Sequence, residues 1–280
     1  APRHKYPGDI ARLRKQYFNS DDQLLTLAMA SPGGTPDEVL AVWKQARDVG
    51  ARITIHVGVG EFGRNALIEW INATEPLRSD TTYVHCCTLN DMEWKLIKDS
   101  GGAVSIAGYV EKLMGHGNPP VQKAIDAGIR PCLSVDVETS VPGDFFNQMR
   151  SVFSQQKNEV WTRQLAGEKN LPAFLKVRDV LEFATVEGAR ANGLERKVGV
   201  LKPGMEADII LMRTDRPNVM PVNNAVGAVV TSMNPANVDT VIIAGKMVKR
   251  DGKLVGSYGS MTRPDDKAFV GALEKALGSQ

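Results

Sequence analysis

Gly199-Val200-Leu201-Lys202-Pro203-Gly204-Met205-Glu206-Ala207-Asp208-Ile209-Ile210-Leu211 is the stretch that decides how the chain is read. Pro203-Gly204 is a tight turn whose glycine tolerates positive φ, and Ala207 to Leu211 is a short apolar strand. Further on, Val241-Ile242-Ile243-Ala244-Gly245-Lys246-Met247-Val248 places β-branched residues before a glycine, and Asp251-Gly252 is a strong hairpin signal. Taken alone, these segments describe a small β-rich cap at the end of the chain.

Working outward, the sequence from Leu24 to about Ala191 has a different texture. Short apolar runs alternate with helical stretches, the pattern of a parallel α/β sheet. The expected strands are Leu24 to Met29, Arg52 to Val57, Thr82 to Cys86, Ala103 to Ile106 and Pro131 to Val135. Between them, Pro36 to Val49 reads as a helix with Thr35 as N-cap and Gly50 as its stop. Helices are also expected from Asn65 to Ile71, from Asn90-Asp91 to Lys98, and from Pro120 to Ala127. Phe145 to Phe153 and Leu175 to Ala184 read as helices around a polar insertion, Gln155 to Lys169. Five strands, each followed by a crossover, suit part of a (β/α)8 barrel, in which functional residues gather at the C-terminal ends of the strands.

Composition limits the function classes. A chain of 280 residues buries a large core, and 42% hydrophobic with 24% charged residues is ordinary globular usage. A net charge of +2 gives no reason to expect nucleic acid or an anionic membrane as partner. No apolar run reaches the length of a membrane span, and Ala1-Pro2-Arg3-His4-Lys5 carries no signal-peptide core. Three cysteines (Cys86, Cys87 and Cys132) argue for a reducing, cytoplasmic setting rather than a disulfide framework.

Of the four histidines, two stand at the ends of expected strands, His56 after Ile53-Thr54-Ile55 and His85 after Tyr83-Val84. Asp136 ends a third, Cys132-Leu133-Ser134-Val135. Each has a bland alternative, a satisfied structural histidine or a helix-capping aspartate. Three at equivalent ends of barrel strands converge on one rim, and two imidazoles with a carboxylate suit Zn2+ or Fe2+. Adjacent Cys86 and Cys87 fit a tetrahedral site poorly, so burial is the better reading of both. The glycines of Gly58-Val59-Gly60-Glu61-Phe62-Gly63 lack the spacing of a dinucleotide loop.

These segments together resemble the amidohydrolase superfamily, in its chlorohydrolase and deaminase branch. The likeness rests on the turn and strand around Pro203, the three strand-end residues, Gly101-Gly102-Ala103-Val104-Ser105, Gly115-His116-Gly117-Asn118-Pro119-Pro120 and Ala184-Thr185-Val186-Glu187-Gly188-Ala189-Arg190. It implies an α/β fold: a partial (β/α)8, TIM-like barrel of later strands over residues 1–193, part of a small β-sandwich over 194–258, and a C-terminal helix or tail over 259–280. It implies that His56, His85 and Asp136 are metal ligands, with one divalent ion, Zn or Fe, per active site. It also implies that Asp136 and His85 are the catalytic pair. His116, Glu138 and Glu61 are candidates to line a substrate pocket, each with a solvated or helix-start alternative. The implied activity is hydrolysis of a C–N or C–Cl bond of a small heterocyclic substrate through a metal-activated water.

Two departures from the family pattern stand out. The chain has no His-x-His pair, and Val59 occupies the place of a glutamate that serves as proton shuttle in many deaminases of this branch. The resemblance therefore implies the C-terminal part of a longer enzyme. It further implies weak metal binding by this chain alone, or none, and association either with the missing N-terminal part or as a homo-oligomer. The alternative reading is a non-catalytic binding or assembly module on the same scaffold.

Overall fold

The computed structural model describes residues 8–255 apart from 21 and 33. Five short strands, β1 (Ala28–Ser31), β2 (Arg52–Val57), β3 (Thr81–His85), β4 (Ala103–Ile106) and β5 (Cys132–Leu133), pair in parallel in chain order. The register is continuous, with Ile53 opposite Thr81 and Val57 opposite His85. Helix α1 (Ile10–Tyr17) precedes the sheet, and α2 (Pro36–Asp48), α3 (Leu67–Thr74), α4 (Asp91–Ser100), α5 (Val110–Leu113) and α6 (Val121–Asp126) fill the crossovers.

Capping sets the helix starts. Thr35 accepts from the Glu38 amide while the Glu38 carboxylate accepts from the Thr35 amide, and Asn90 and Glu93 make the same reciprocal pair at α4. Strand alternation then divides the two sheet faces. Ile53, Ile55, Val57, Thr81 and Tyr83 are buried and meet the helix face, where Trp43, Ile68, Ile71, Trp94 and Ile97 pack in one apolar cluster. Arg52, Thr54, His56, Thr82 and Val84 occupy the opposite, concave face. Below the strand ends that face borders a cavity of 780 Å3, closed in part by Arg14, Phe18 and the 193–197 segment.

Beyond β5, α7 (Phe145–Leu165), α8 (Val177–Phe183) and α9 (Val186–Ala191) complete the helical layer. A four-stranded antiparallel sheet follows, β6 (Ile209–Met212), β7 (Val238–Ile243), β8 (Lys246–Arg250) and β9 (Lys253–Leu254), in that order. Its hairpins turn at Ala244-Gly245 (φ 47° and 76°) and Asp251-Gly252 (φ 49° and 75°), the paired positive φ values of type I′ turns.

Three expectations are corrected. The first strand lies at Ala28–Ser31, because only those residues pair with β2, and Leu24 and Leu25 are 72% and 69% exposed. The stretch read as a polar insertion is mostly helix, since α7 runs on to Leu165. One of its polar residues faces inward: Gln156 donates to Gln122 Oε1 (2.8 Å) and the Ala173 carbonyl (3.0 Å) and accepts from the Leu175 amide (3.0 Å). Helix α10 (Ala225–Thr231) lies within the region expected to be β-rich and packs on α7 and α8, with Val230 in the main core. The expected C-terminal helix lies outside the described residues. Among the described residues, no helix is long and apolar enough to cross a membrane.

Candidate metal centre

Because the five strands are parallel, their C-terminal ends share one rim. His56 is the penultimate residue of β2 and His85 the last of β3, while Asp136 follows β5. His85 and Cys86 have φ of 73° and 58°, and Asp136 has φ of 67°. Positive φ at non-glycine residues costs of order 1–3 kcal/mol each and persists only where the surroundings enforce it. Here it turns His85 out of the alternation of β3 and bends the chain at Asp136, beyond β5, at the rim.

The side chains meet there. The His56 and His85 ring centroids are 5.2 Å apart, and the His116 ring meets His85 edge-on at 4.6 Å. His85 Nε2 lies 3.8 Å from Asp136 Oδ2. His56, His85, His116 and Asp136 line one pocket of 460 Å3, whose remaining walls include Val57, Val59, Phe62, Leu67, Met114 and Val137. Glu61 and Glu138 stand outside that lining and are exposed. The pocket thus brings together four of the six expected site residues.

The β2 loop is held close against the next turn. A Cβ on Gly63 would lie 2.4 Å from the Gly58 carbonyl carbon, and Gly58 itself has φ of +61°. Thr88 seals the same contact by donating to the Gly60 carbonyl at 3.1 Å. On the other side, the Gly60 amide donates to the His116 carbonyl at 2.8 Å, which ties the two loops of the rim together.

One buried residue escaped the sequence reading. Glu111, in the short helix α5, is fully buried; its Oε1 lies 3.4 Å from His85 Nδ1 and accepts from the Ala107 amide at 2.8 Å. Its only sequence signal is a carboxylate set among the apolar residues of Ala107 to Val110. Burial pushes the Glu111 carboxyl above the usual range, against the opposing pull of His85 and the Ala107 amide. Burial also lowers His56 and His116, helped by their histidine neighbours and opposed by Asp136. Burial pushes the Cys86 and Cys87 thiols up, so both stay protonated at neutral pH, poor ligands for a metal.

The donor chemistry fits a divalent cation. A spacing of 3.8 Å is too long for a hydrogen bond and shorter than two metal–ligand bonds of about 2.1 Å end to end. Among the described residues, however, no three of these groups already stand in an arrangement that could hold a metal.

The pattern of the amidohydrolase family matches residues 12–248. Over 256 residues the chain is 30% identical to a 5′-deoxyadenosine deaminase of Methanothermobacter thermautotrophicus, covering 87% of this chain and 57% of that protein. It is 31% identical over 172 residues to a 5-methylthioadenosine/S-adenosylhomocysteine deaminase of Syntrophus aciditrophicus, covering 61% of this chain and 37% of the relative. Among solved structures, a zinc-bound adenosine deaminase from Xanthomonas campestris superposes with a TM-score of 0.78 at 18% identity, over 97% of this chain and 61% of that one. A zinc complex of the atrazine chlorohydrolase of Arthrobacter aurescens TC1 gives 0.69 at 18% identity, over 95% and 58%. At such identity these neighbours speak for the fold, which is that of an amidohydrolase barrel. The chain spans about half the length of the first two curated relatives, 57% and 52%. A family match that runs from α1 to β8 and takes in both sheets establishes that this chain belongs to the amidohydrolase family.

Proposed function

We propose that the chain carries the metal-binding rim of a hydrolase that cleaves a C–N or C–Cl bond of a small heterocyclic substrate. One observation carries the reading: His56, His85, His116 and Asp136, from separate parts of the chain, line one pocket at the strand ends. The adenosine-type deaminases among the relatives and the chlorohydrolase among the structural neighbours support that substrate class.

His56, His85 and Asp136 would hold the ion, which when bound supplies Lewis acidity that makes water a nucleophile near neutral pH. Asp136 takes the proton of the attacking water and passes it to the leaving nitrogen. His85 orients the water against the electrophilic carbon, and His116, edge-on to His85, faces the ring of the substrate. The apolar wall of Val59, Phe62, Leu67 and Met114 covers a flat heterocycle and keeps bulk water away. Val59 carries no proton, so the transfer falls to Asp136 alone.

The test measures ammonia release from 5′-deoxyadenosine and S-adenosylhomocysteine, and chloride release from a chlorotriazine, with Zn2+ or Fe2+ added. Loss of at least about 100-fold in turnover in Asp136→Asn is the expected result. Turnover that survives this change unaltered would sink the assignment. Absence of turnover with any metal, together with retained nucleoside binding, would favour the binding-module reading instead.

A further inference from the structure

Glu111 poses a problem that packing does not solve. Its carboxylate is fully buried, and while Oε1 has two neighbours, Oε2 has no hydrogen-bond partner. A buried carboxylate with an unpartnered oxygen costs stability, and an apolar side chain of equal size would fill the space at less cost. What the carboxylate does there is visible in its contacts. The Ala107 amide donates to Oε1, and the same oxygen faces His85 Nδ1 at 3.4 Å, so an ionised carboxylate there accepts from both nitrogens.

We propose that Glu111 is a positioning residue that holds His85 with its hydrogen on Nδ1, leaving the Nε2 lone pair aimed into the pocket toward Asp136. The free imidazole ring prefers neither face of the pocket by itself; the second nitrogen's partner decides which one is available as a ligand. An Nε2 lone pair and a carboxylate 3.8 Å apart repel unless a cation stands between them, so this tautomer prepares the rim for one. The same residue acts through its backbone. The Glu111 carbonyl accepts from the amides of His116 (2.8 Å) and Gly117 (3.3 Å), fixing the loop that sets the His116 ring against His85. One residue thereby orients both the histidine proposed to hold the ion and its neighbour. The tautomer stands on these contacts alone; its use for a metal rests on the function proposed above.

Long-range 1H–15N correlation spectra of the 280-residue chain decide the matter, since four histidines give few signals and His85→Gln assigns one of them. At about pH 8, where imidazoles are neutral, His85 should show the Nδ1–H pattern. Glu111→Gln keeps an acceptor oxygen at the same place and should retain it, whereas Glu111→Met removes the acceptor and should move His85 toward Nε2–H. Cobalt titration of the same samples should show affinity falling roughly 10- to 100-fold in Glu111→Met and less in Glu111→Gln. An Nε2–H pattern in the unaltered chain overturns the proposal, and needs no variant to fold. So does an unchanged Nδ1–H pattern in Glu111→Met. A tautomer change without any change in cobalt affinity upholds the positioning role and counts against the metal-binding rim.

Discussion

His85 and Asp136 sit at φ of 73° and 67°, conformations that a β-branched side chain adopts only under strain. Asparagine tolerates this region better than other non-glycine residues. Both His85→Asn and His85→Val remove the imidazole, so their difference isolates the backbone. Urea unfolding should find the valine variant less stable than the asparagine variant by about 1–2 kcal/mol. Equal midpoints would show that the left-handed geometry is not enforced. Gly63 makes a second case. An alanine there would drive its Cβ to 2.4 Å from the Gly58 backbone, which cannot swing aside as a side chain can. Gly63→Ala should cost about 2 kcal/mol and displace the loop that carries Val59 and Phe62. Denaturation midpoint and affinity for the proposed heterocyclic substrate should therefore fall together.

The helices that frame the rim depend on single polar residues at their starts. Asn90→Ala removes both the cap of α4 and the contact to Glu69 (2.8 Å), and should lower stability by about 1 kcal/mol in equilibrium unfolding. Arg47, on α2, reaches Asp80 at 2.9 Å ahead of β3 and also pairs with Glu75. Burial raises the Asp80 carboxyl, but hydrogen bonds from Arg47 and Thr81 and the Arg47 charge outweigh it, so the folded value lies below the ordinary 3.8. A depressed carboxyl contributes stability above its unfolded value and loses it as the pH falls through the folded one. Arg47→Met should thus cost about 2 kcal/mol at neutral pH, and the gap from the unaltered chain should narrow below about pH 4. A gap that stays constant into acid would rule out the ion pair as its source. The elements best read from sequence are those with such signals. Thr35, Pro36 and Gly50 bounded α2 to within a residue, and Ile53, Ile55 and Val57 marked β2. The extension of α7 was hidden because its buried Gln156 looks like a surface residue until its partners are known. Helix α10 was hidden by Val226, Val229 and Val230, which carry β propensity and become helical through tertiary packing. At the rim, His56, His85 and Asp136 drew notice in the sequence because each stands at or just beyond the end of an expected strand. Glu111 was not, since its meaning lies in a contact to a residue twenty-six positions away.

The five-stranded sheet ends in edges at β1 and β5 among the described residues, and its concave face is only partly covered. Unpaired strand edges beside the exposed Leu24 and Leu25 invite pairing with another chain. We expect concentration-dependent association in analytical ultracentrifugation, and a single monomeric species over a hundredfold concentration range would contradict it. The division proposed at residue 193 concerns the antiparallel sheet, since α10 returns to α7 and α8, where Arg150 donates to the Met233 carbonyl at 2.7 Å. The cavity beneath the rim has an electrostatic consequence. Thr54 lies one strand repeat below His56 on the same face, so the 780 Å3 space reaches close under the imidazoles. Water in that space screens the field between His85 and Asp136, whereas protein packed into it would lower the local dielectric from about 80 toward about 20. The attraction of the rim for a cation would then grow roughly fourfold with no change in any ligand. Any chain that covers the concave face therefore acts on the rim from behind, as a dielectric, without touching it.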